Sequence, residues 1–365
     1  METELKRLDV DFLRIDGIQT ENVVTDLGVA GSPTGRGIWS MTQCQKLLRM
    51  IADDGLGEDD VLFFEEFWQP GIEAVAYALT LKGLAGSVRM YAYCWAQSVD
   101  EYDFTTRMLP WIRHFEEGIA MLLDGIFVAC NAHKFHMLRG GVGTYESVHV
   151  TGHCYNRESV EGVLPVEDRP ERIPGRVIFT GRWDVEKNPL TFLRLVEAMK
   201  KVDDSDRYEF VVTTSAPTLR SNDYRLGQAL SMAVDSGRIT LLEGLSKKDY
   251  YKELCKAEFL FNCASQDYVS FGLLEGLTFG CTPVYPAFRS FVEVFKEHPQ
   301  FLYPHGDSYE AAIKIAELHY KHGGGITDRE RDELLLPFSY SVDKMVTIME
   351  DADPGKVYDY LRDRV

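Results

Sequence analysis

The chain has 365 residues, 45% of them hydrophobic, with 57 Asp and Glu against 39 Lys and Arg for a formal net charge of −18. It can bury a sizeable core and exceeds one typical domain, while its acidic balance disfavours non-specific attraction to nucleic acid or anionic lipid. Seven scattered cysteines without a CxxC pair read as reduced, buried thiols. Apolar runs too short to span a membrane and a charged N-terminus, METELKRLDVDF, point to a cytoplasmic protein.

In chain order, DVDFLRI reads as the start of a strand, which argues against a metal role for its Asp9-Val10-Asp11. TDLGVAGSPTGRGIWSMTQ (25–43) is rich in glycine, with Gly28, Gly31, Gly35 and Gly37 ahead of a helix expected to start near Ser40. From about residue 60, β-rich runs alternate with helical periods: DVLFFEEF, SVRMYAYC, GIFVAC and SVHVTG are strands with helices between them. YNRESVEGVLPVEDRPERIPG, with Pro165, Pro170 and Pro174 and five acids from Glu158 to Glu171, reads as a linker over 155–175. The alternation then restarts through RVIFTG, YEFVVTT, RITLLEG, EFLFNCA, TPVYP and FLYP.

Such alternation predicts an α/β protein with two doubly wound, Rossmann-like parallel sheets in series, with ligands beyond the carboxyl ends of the strands in a cleft between them. The expected division is 1–165, 166–340 and a C-terminal segment, 341–365, that packs back on the first domain. Residues 1–165 hold 24 acids against 13 Lys and Arg, a net of −11, so a phosphate-bearing ligand needs local design.

Two stretches offer that design. In VIFTGRWDVEKNPLTF (177–192), Gly181 frees the turn after a strand, and Arg182 and Lys187 flank a loop leading through Pro189 into a helix. The two cations suit an anion, or are solvated loop charges. In SQDYVSFGLLEGLTFGCTPVYP (265–286), a strand ends near Ala264 and a helix begins near Phe271-Gly272, with Ser270 as its cap and Glu275 in the first turn. Asp267 and Glu275 either grip a polar ligand there or only stabilise the helix.

Taken together, Gly181-Arg182 with Lys187, Asp267-x7-Glu275 enclosing Phe271-Gly272, and Gly280-Cys281-Thr282-Pro283-Val284 resemble the GT-B glycosyltransferases, in particular retaining family 4, over about residues 176–290. The resemblance implies a hexosyltransferase-type enzyme using a nucleotide-diphosphate sugar, UDP-sugar favoured, with no cofactor or metal required and retention of configuration. It assigns the diphosphate to Arg182 and Lys187, the ribose to Glu275, the base to the neighbourhood of Leu245, and the phosphate or sugar to Gly181, Ser270, Phe271, Gly272 and Leu273. Asp267 stands where the family has a Glu on the donor sugar, and the catalytic set is Asp267, Arg182 and Lys187. The loop with Gly35 and Gly37 resembles the family's glycine-rich donor loop.

For the acceptor, Trp95, Asp100 and Asp103 in YAYCWAQSVDEYDF and His133 after GIFVAC are the candidates, each with a plain alternative as a solvated acid or a histidine bonded within the fold. The acceptor is a glycan, a small molecule or a hydroxymethylated DNA base; the last requires Arg107, Arg113, Lys134 and Arg139 to gather on one rim. Competing readings are an NAD-dependent dehydrogenase, which lacks a G-x-G-x-x-G between strand and helix, and a non-catalytic nucleotide-sugar binder.

Overall fold

Short β-branched and aromatic runs lie between amphipathic helices along the chain, and in the computed structural model each run named from residue 60 onward forms a strand. The structure describes residues 1–18, 35–203, 207–214, 223–321 and 325–351. The strands are β1 (Val61–Phe64), β2 (Arg89–Tyr93), β3 (Gly125–Val128), β4 (Val148–Val150), β5 (Ile173–Thr180), β6 (Glu209–Thr214), β7 (Thr240–Glu243), β8 (Ala257–Phe261), β9 (Thr282–Pro286) and β10 (Leu302–Tyr303). They form two sheets, ordered β1-β2-β3-β4 and β10-β9-β8-β5-β6-β7, with every pairing parallel. Among the described residues no helix is long and apolar enough to cross a membrane.

The chain divides into two compact units, one of residues 1–152 with the helix Ser341–Asp351, the other His153–Ser339. The change-over precedes the 165/166 boundary that the proline-bearing stretch suggests. Side chains explain why: the Tyr155 hydroxyl donates to the Leu274 carbonyl at 3.1 Å and meets Thr278 Oγ1 at 2.5 Å, committing this stretch to the second unit. Residues 155–175 are not a bare linker either. They hold the helix Arg157–Val163, capped by the Asn156 side chain, a 3-10 turn at Val166–Asp168 and the start of β5.

In the first unit the four strands lie in chain order, and their core joins Leu62, Met90, Ile126 and Val148 to Cys44 and Leu47 of the helix Gly35–Ala52. The C-terminal helix is tied in through Arg7, which donates to both Asp343 carboxylate oxygens at 2.8 Å, and Arg89, which donates to the Met349 carbonyl. The expected strand at DVDFLRI is absent. Asp9 takes a left-handed φ of 56°, residues 10–18 form no strand, and the helix Glu2–Arg7 precedes them. An alternating pattern becomes a strand only against a sheet neighbour, and among the described residues none pairs with it.

In the second unit the chain lays β5, β6 and β7 outward in one direction, then returns to place β8 on the other side of β5 and continues to β9 and β10. This is the doubly wound order, and its reversal falls between β5 and β8. Strands β8 and β9 are buried along their whole length, as parallel strands covered on both faces must be, whereas the edge strand β7 is partly open. Gly175 permits the irregular register between β5 and β8: its φ is +79°, its amide donates to the buried Glu258 carboxylate, and an added Cβ would lie 2.4 Å from the Arg207 carbonyl. Gly175→Ala is expected to destabilise this unit by about 2 kcal/mol or more, because a left-handed residue with a Cβ meets fixed backbone; the midpoint of urea unfolding measures it.

Candidate functional site

The reversal between β5 and β8 sends consecutive helices to opposite faces and leaves a crevice at the carboxyl ends of these two strands. From β5 comes Thr180-Gly181-Arg182, then a 3-10 turn, Val185–Lys187, and Asn188, whose left-handed backbone (φ 50°) lets Pro189 open the helix Pro189–Val202. From β8 comes the loop through Cys263 to Ser270, then the helix Phe271–Thr278. The two loops are stitched together. The amides of Ser265 and Gln266 donate to the Glu186 carbonyl at 2.9 and 3.3 Å, and the Cys263 thiol donates to the carbonyls of Lys187 and Asn188.

Lys187 crosses this seam: its Nζ donates to the Gln266 carbonyl at 2.9 Å and lies 3.5 Å from Asp267 Oδ2, with only 16% of its side chain exposed. Arg182 pairs with the buried Glu186 carboxylate and is more open, at 37%. Beside them begins the helix Phe271–Thr278. Ser270, in extended backbone, caps it by accepting from the Leu273 amide at 3.2 Å. Gly272 is needed for closeness, since a Cβ there would stand 2.8 Å from Thr180 Oγ1 at the end of β5. Two ion pairs, Arg182 with Glu186 and Lys187 with Asp267, and the start of a helix thus belong to the two loops that leave the adjacent strands β5 and β8. Each cation is balanced by one carboxylate, and the first-turn amides of the helix are its positive end.

Glu275 is placed differently from the expectation. The first turn is Phe271 to Leu274, so Glu275 lies one turn in, away from the helix's positive end, and other groups hold it: Lys247 Nζ at 2.6 Å and the Tyr251 hydroxyl at 2.9 Å both donate to its Oε1. The Glu275 charge in turn pushes the Tyr251 hydroxyl further above its usual value, after burial as the first cause. Leu273 is fully buried, so its side chain serves the core and only its backbone faces the cap. Leu245 is half-buried between β7 and the helix Lys247–Lys256, after Gly244 (φ 62°), whose amide donates to the Thr214 carbonyl at 3.1 Å. Asp267 does not cap the helix; it pairs with Lys187, and its carbonyl accepts from Ser290 Oγ at 2.8 Å.

In the first unit, Gly35 and Gly37 form the opening turn of the helix Gly35–Ala52 instead of a loop before Ser40, and Gly28 and Gly31 lie outside the described residues. The acceptor candidates follow the strand ends, but Asp100 and Asp103 are buried, not solvated. Asp103 caps the 3-10 turn Phe104–Met108 through the Thr105 amide and hydroxyl at 2.9 and 2.6 Å, and Asp100 accepts from the Tyr102 amide at 3.1 Å. Trp95 donates to the Glu65 carbonyl at 2.8 Å, and His133 Nε2 meets Gln97 Oε1 at 2.7 Å. The basic rim is partly committed: Arg113 pairs with Glu117, and Lys134 donates to the Tyr145 carbonyl at 2.7 Å while lying 3.8 Å from that ring's centre. Arg139 is exposed, and the Arg107 side chain lies outside the described residues.

No protein-family model matches the chain. Among solved structures it is similar to the pneumococcal O-GlcNAc transferase GtfA in complex with UDP and GlcNAc, at 12% identity and a TM-score of 0.55 over 84% of this chain. The chain spans 59% of that transferase's length. It is also similar to Anabaena Alr3699/HepE in complex with UDP and glucose (12% identity, TM-score 0.64, 96% of this chain and 89% of that one). A third is a trehalose-6-phosphate synthase studied for enzymatic glycosyl transfer with retention (12% identity, TM-score 0.63, 95% and 82%). The chain has the GT-B glycosyltransferase fold. Within that fold, the crevice just described lies at the switch point of the second sheet.

Several residues of this GT-B chain escaped the sequence reading. Lys247 and Tyr251 carry no local signal, because only tertiary packing brings them to Glu275. Glu116 does carry one: Ile112, Glu116 and Ile119 share the buried face of the helix Trp111–Leu122, an acid inside an apolar stripe. It accepts from Trp68 Nε1 (2.9 Å), the Ser98 amide (2.7 Å) and Ser98 Oγ (2.6 Å), joining the loops after β1 and β2. Burial pushes its carboxyl above the ordinary value despite these donors. The folded state therefore keeps the proton to higher pH than the unfolded chain, and stability falls as pH rises from the ordinary carboxylate value through the raised one. Glu116→Gln is expected to flatten that slope, and Glu116→Ala to lose about 3 kcal/mol by stranding three donors; unfolding midpoints measured from acid to neutral pH read both.

Proposed function

We propose that the protein is a retaining glycosyltransferase that moves a sugar from a UDP-sugar to an acceptor hydroxyl. The observation that supports this reading is that the loop carrying Arg182 and Lys187 is bonded to the loop leading into the helix Phe271–Thr278 at the switch point of a doubly wound sheet. The bond between the anomeric carbon and the UDP oxygen breaks, and negative charge gathers on the leaving diphosphate. Fixed cations and the helix dipole stabilise that charge without reorganising, and they do so more strongly in a dry crevice than in water. The acceptor oxygen forms the new bond, and its proton passes to a leaving phosphate oxygen, so no dedicated base is called for.

In this reading Arg182 and Lys187 take the diphosphate, and the backbone at Gly181, Ser270 and Gly272 lies along it. Phe271 flanks the sugar, Asp267 accepts from its hydroxyls, and Leu245 lies against the base. Glu275, whose Oε1 is occupied by Lys247 and Tyr251, offers its second oxygen to the ribose hydroxyls. UDP is favoured because two of the similar structures hold it. The acceptor is a soluble hydroxyl compound rather than duplex DNA, since Arg113 and Lys134 are engaged within the first unit and residues 1–165 carry a net −11.

Thermal shift and calorimetry with UDP, UDP-sugars and NADH test the reading: UDP is expected to raise the melting temperature and NADH to leave it unchanged. Lys187→Met is expected to weaken UDP but not uridine and to lower turnover of the accepted UDP-sugar by about 100-fold. Glu275→Gln is expected to weaken both uridine and UDP by about tenfold, the loss of a hydrogen bond to a charged group. Wild-type protein indifferent to every nucleotide, or Lys187→Met binding UDP as wild type does, would overturn the assignment.

A further inference from the structure

Between Asp267 and the Ser270 cap the backbone does something costly. Val269 has φ 71°, a left-handed conformation that a β-branched side chain strongly disfavours, and it is buried, so solvent does not relieve it. Its carbonyl accepts from His153 Nε2 at 2.5 Å. The same imidazole stacks on the Phe271 ring at 4.8 Å between centres and 21° between planes. His153 thus grips the residues immediately before and after Ser270. It is buried, and burial pushes its pKa below the ordinary imidazole value, so near neutral pH it is an uncharged ring with a proton on Nε2 to give. A strained residue persists only where its surroundings hold it, and here the His153 side chain bonds the Val269 carbonyl and stacks on Phe271.

We propose that His153 is a positioning residue of the donor site: its Nε2–H and its ring hold Val269 in the left-handed conformation that keeps Asp267 on Lys187 and Ser270 at the helix cap. The proposal rests on the functional reading above for its consequence, weaker donor binding, but not for its structural content. His153 need not touch the donor, and its role is to fix the loop that does.

Three variants test this: His153→Phe keeps a stacking ring but removes the donor, His153→Gln keeps a donor, and His153→Phe/Val269→Gly removes both the donor and the need for it, since glycine adopts this backbone freely. In ligand-free protein, amide hydrogen exchange across residues 266–273 is expected to quicken by about tenfold in His153→Phe and to return to within about threefold of wild type in His153→Gln and in the double variant. Exchange unchanged in His153→Phe, or quickened equally in the double variant, overturns the proposal. UDP affinity measured on the same proteins is expected to follow the exchange rates. If the wild type binds no UDP while exchange behaves as stated, the functional reading fails and the positioning role of His153 stands; if it binds UDP and the affinities ignore the exchange rates, the positioning role fails alone.

Discussion

The arrangement depends on one seam, where the Glu186 carbonyl accepts the amides of Ser265 and Gln266 and Lys187 reaches back to the Gln266 carbonyl and Asp267. Residues 187 and 266 are 79 apart in the chain. They meet because the winding of the sheet reverses between β5 and β8, so that two loops leave adjacent strand ends with no helix to separate them. Without the seam the cations would be ordinary loop charges, worth little in water. With it, Lys187 is largely buried, balanced by one acid and held in place.

The seam also explains why small residues stand where they do. Gly272 brings the start of a helix against Thr180, and Gly276, one turn on, would place a Cβ 2.5 Å from Leu260 of β8. The helix therefore lies close over β5 and β8, and Lys187 bonds the loop that leads into it. The tight approach extends to Val269, where the short span from Asp267 to the Ser270 cap is closed by a residue in an unfavourable conformation. Close packing at Gly272 and Gly276 and a left-handed backbone at Val269 thus occur within eight residues of one another.

The first unit handles polarity otherwise. Its segments after β1, β2 and β3 bury Gln69, Gln97, Ser98, Asp100, Asp103 and His133. The hydrogen bonds tie loops to one another and to helices: Trp95 to Glu65, His133 to Gln97, and Trp68 and Ser98 to Glu116. Such buried networks rigidify a surface when satisfied. Acids that look solvated in the sequence are thus structural ties, and the charge of this half is less available to solvent than its composition suggests.

By itself the sequence determined the fold class and the loops from which the candidate site is built. Strand runs and helix periods are local properties, so all the strands expected from residue 60 onward, the Ser270 cap and the Pro189 helix start could be read directly. Arg182, Lys187, Asp267 and Gly272 could be singled out as candidates because they lie in the segments that follow two strands, and a parallel sheet sets such segments at one end. What the tertiary structure decided was every pairing between distant segments. It gave Glu275 to Lys247 and Tyr251, turned Asp267 from the helix to Lys187, buried Asp100 and Asp103, and denied DVDFLRI a sheet partner. A residue's period and neighbours fix its local geometry, but the partner of a charge depends on which loops the strand order brings together, and no local pattern encodes that order.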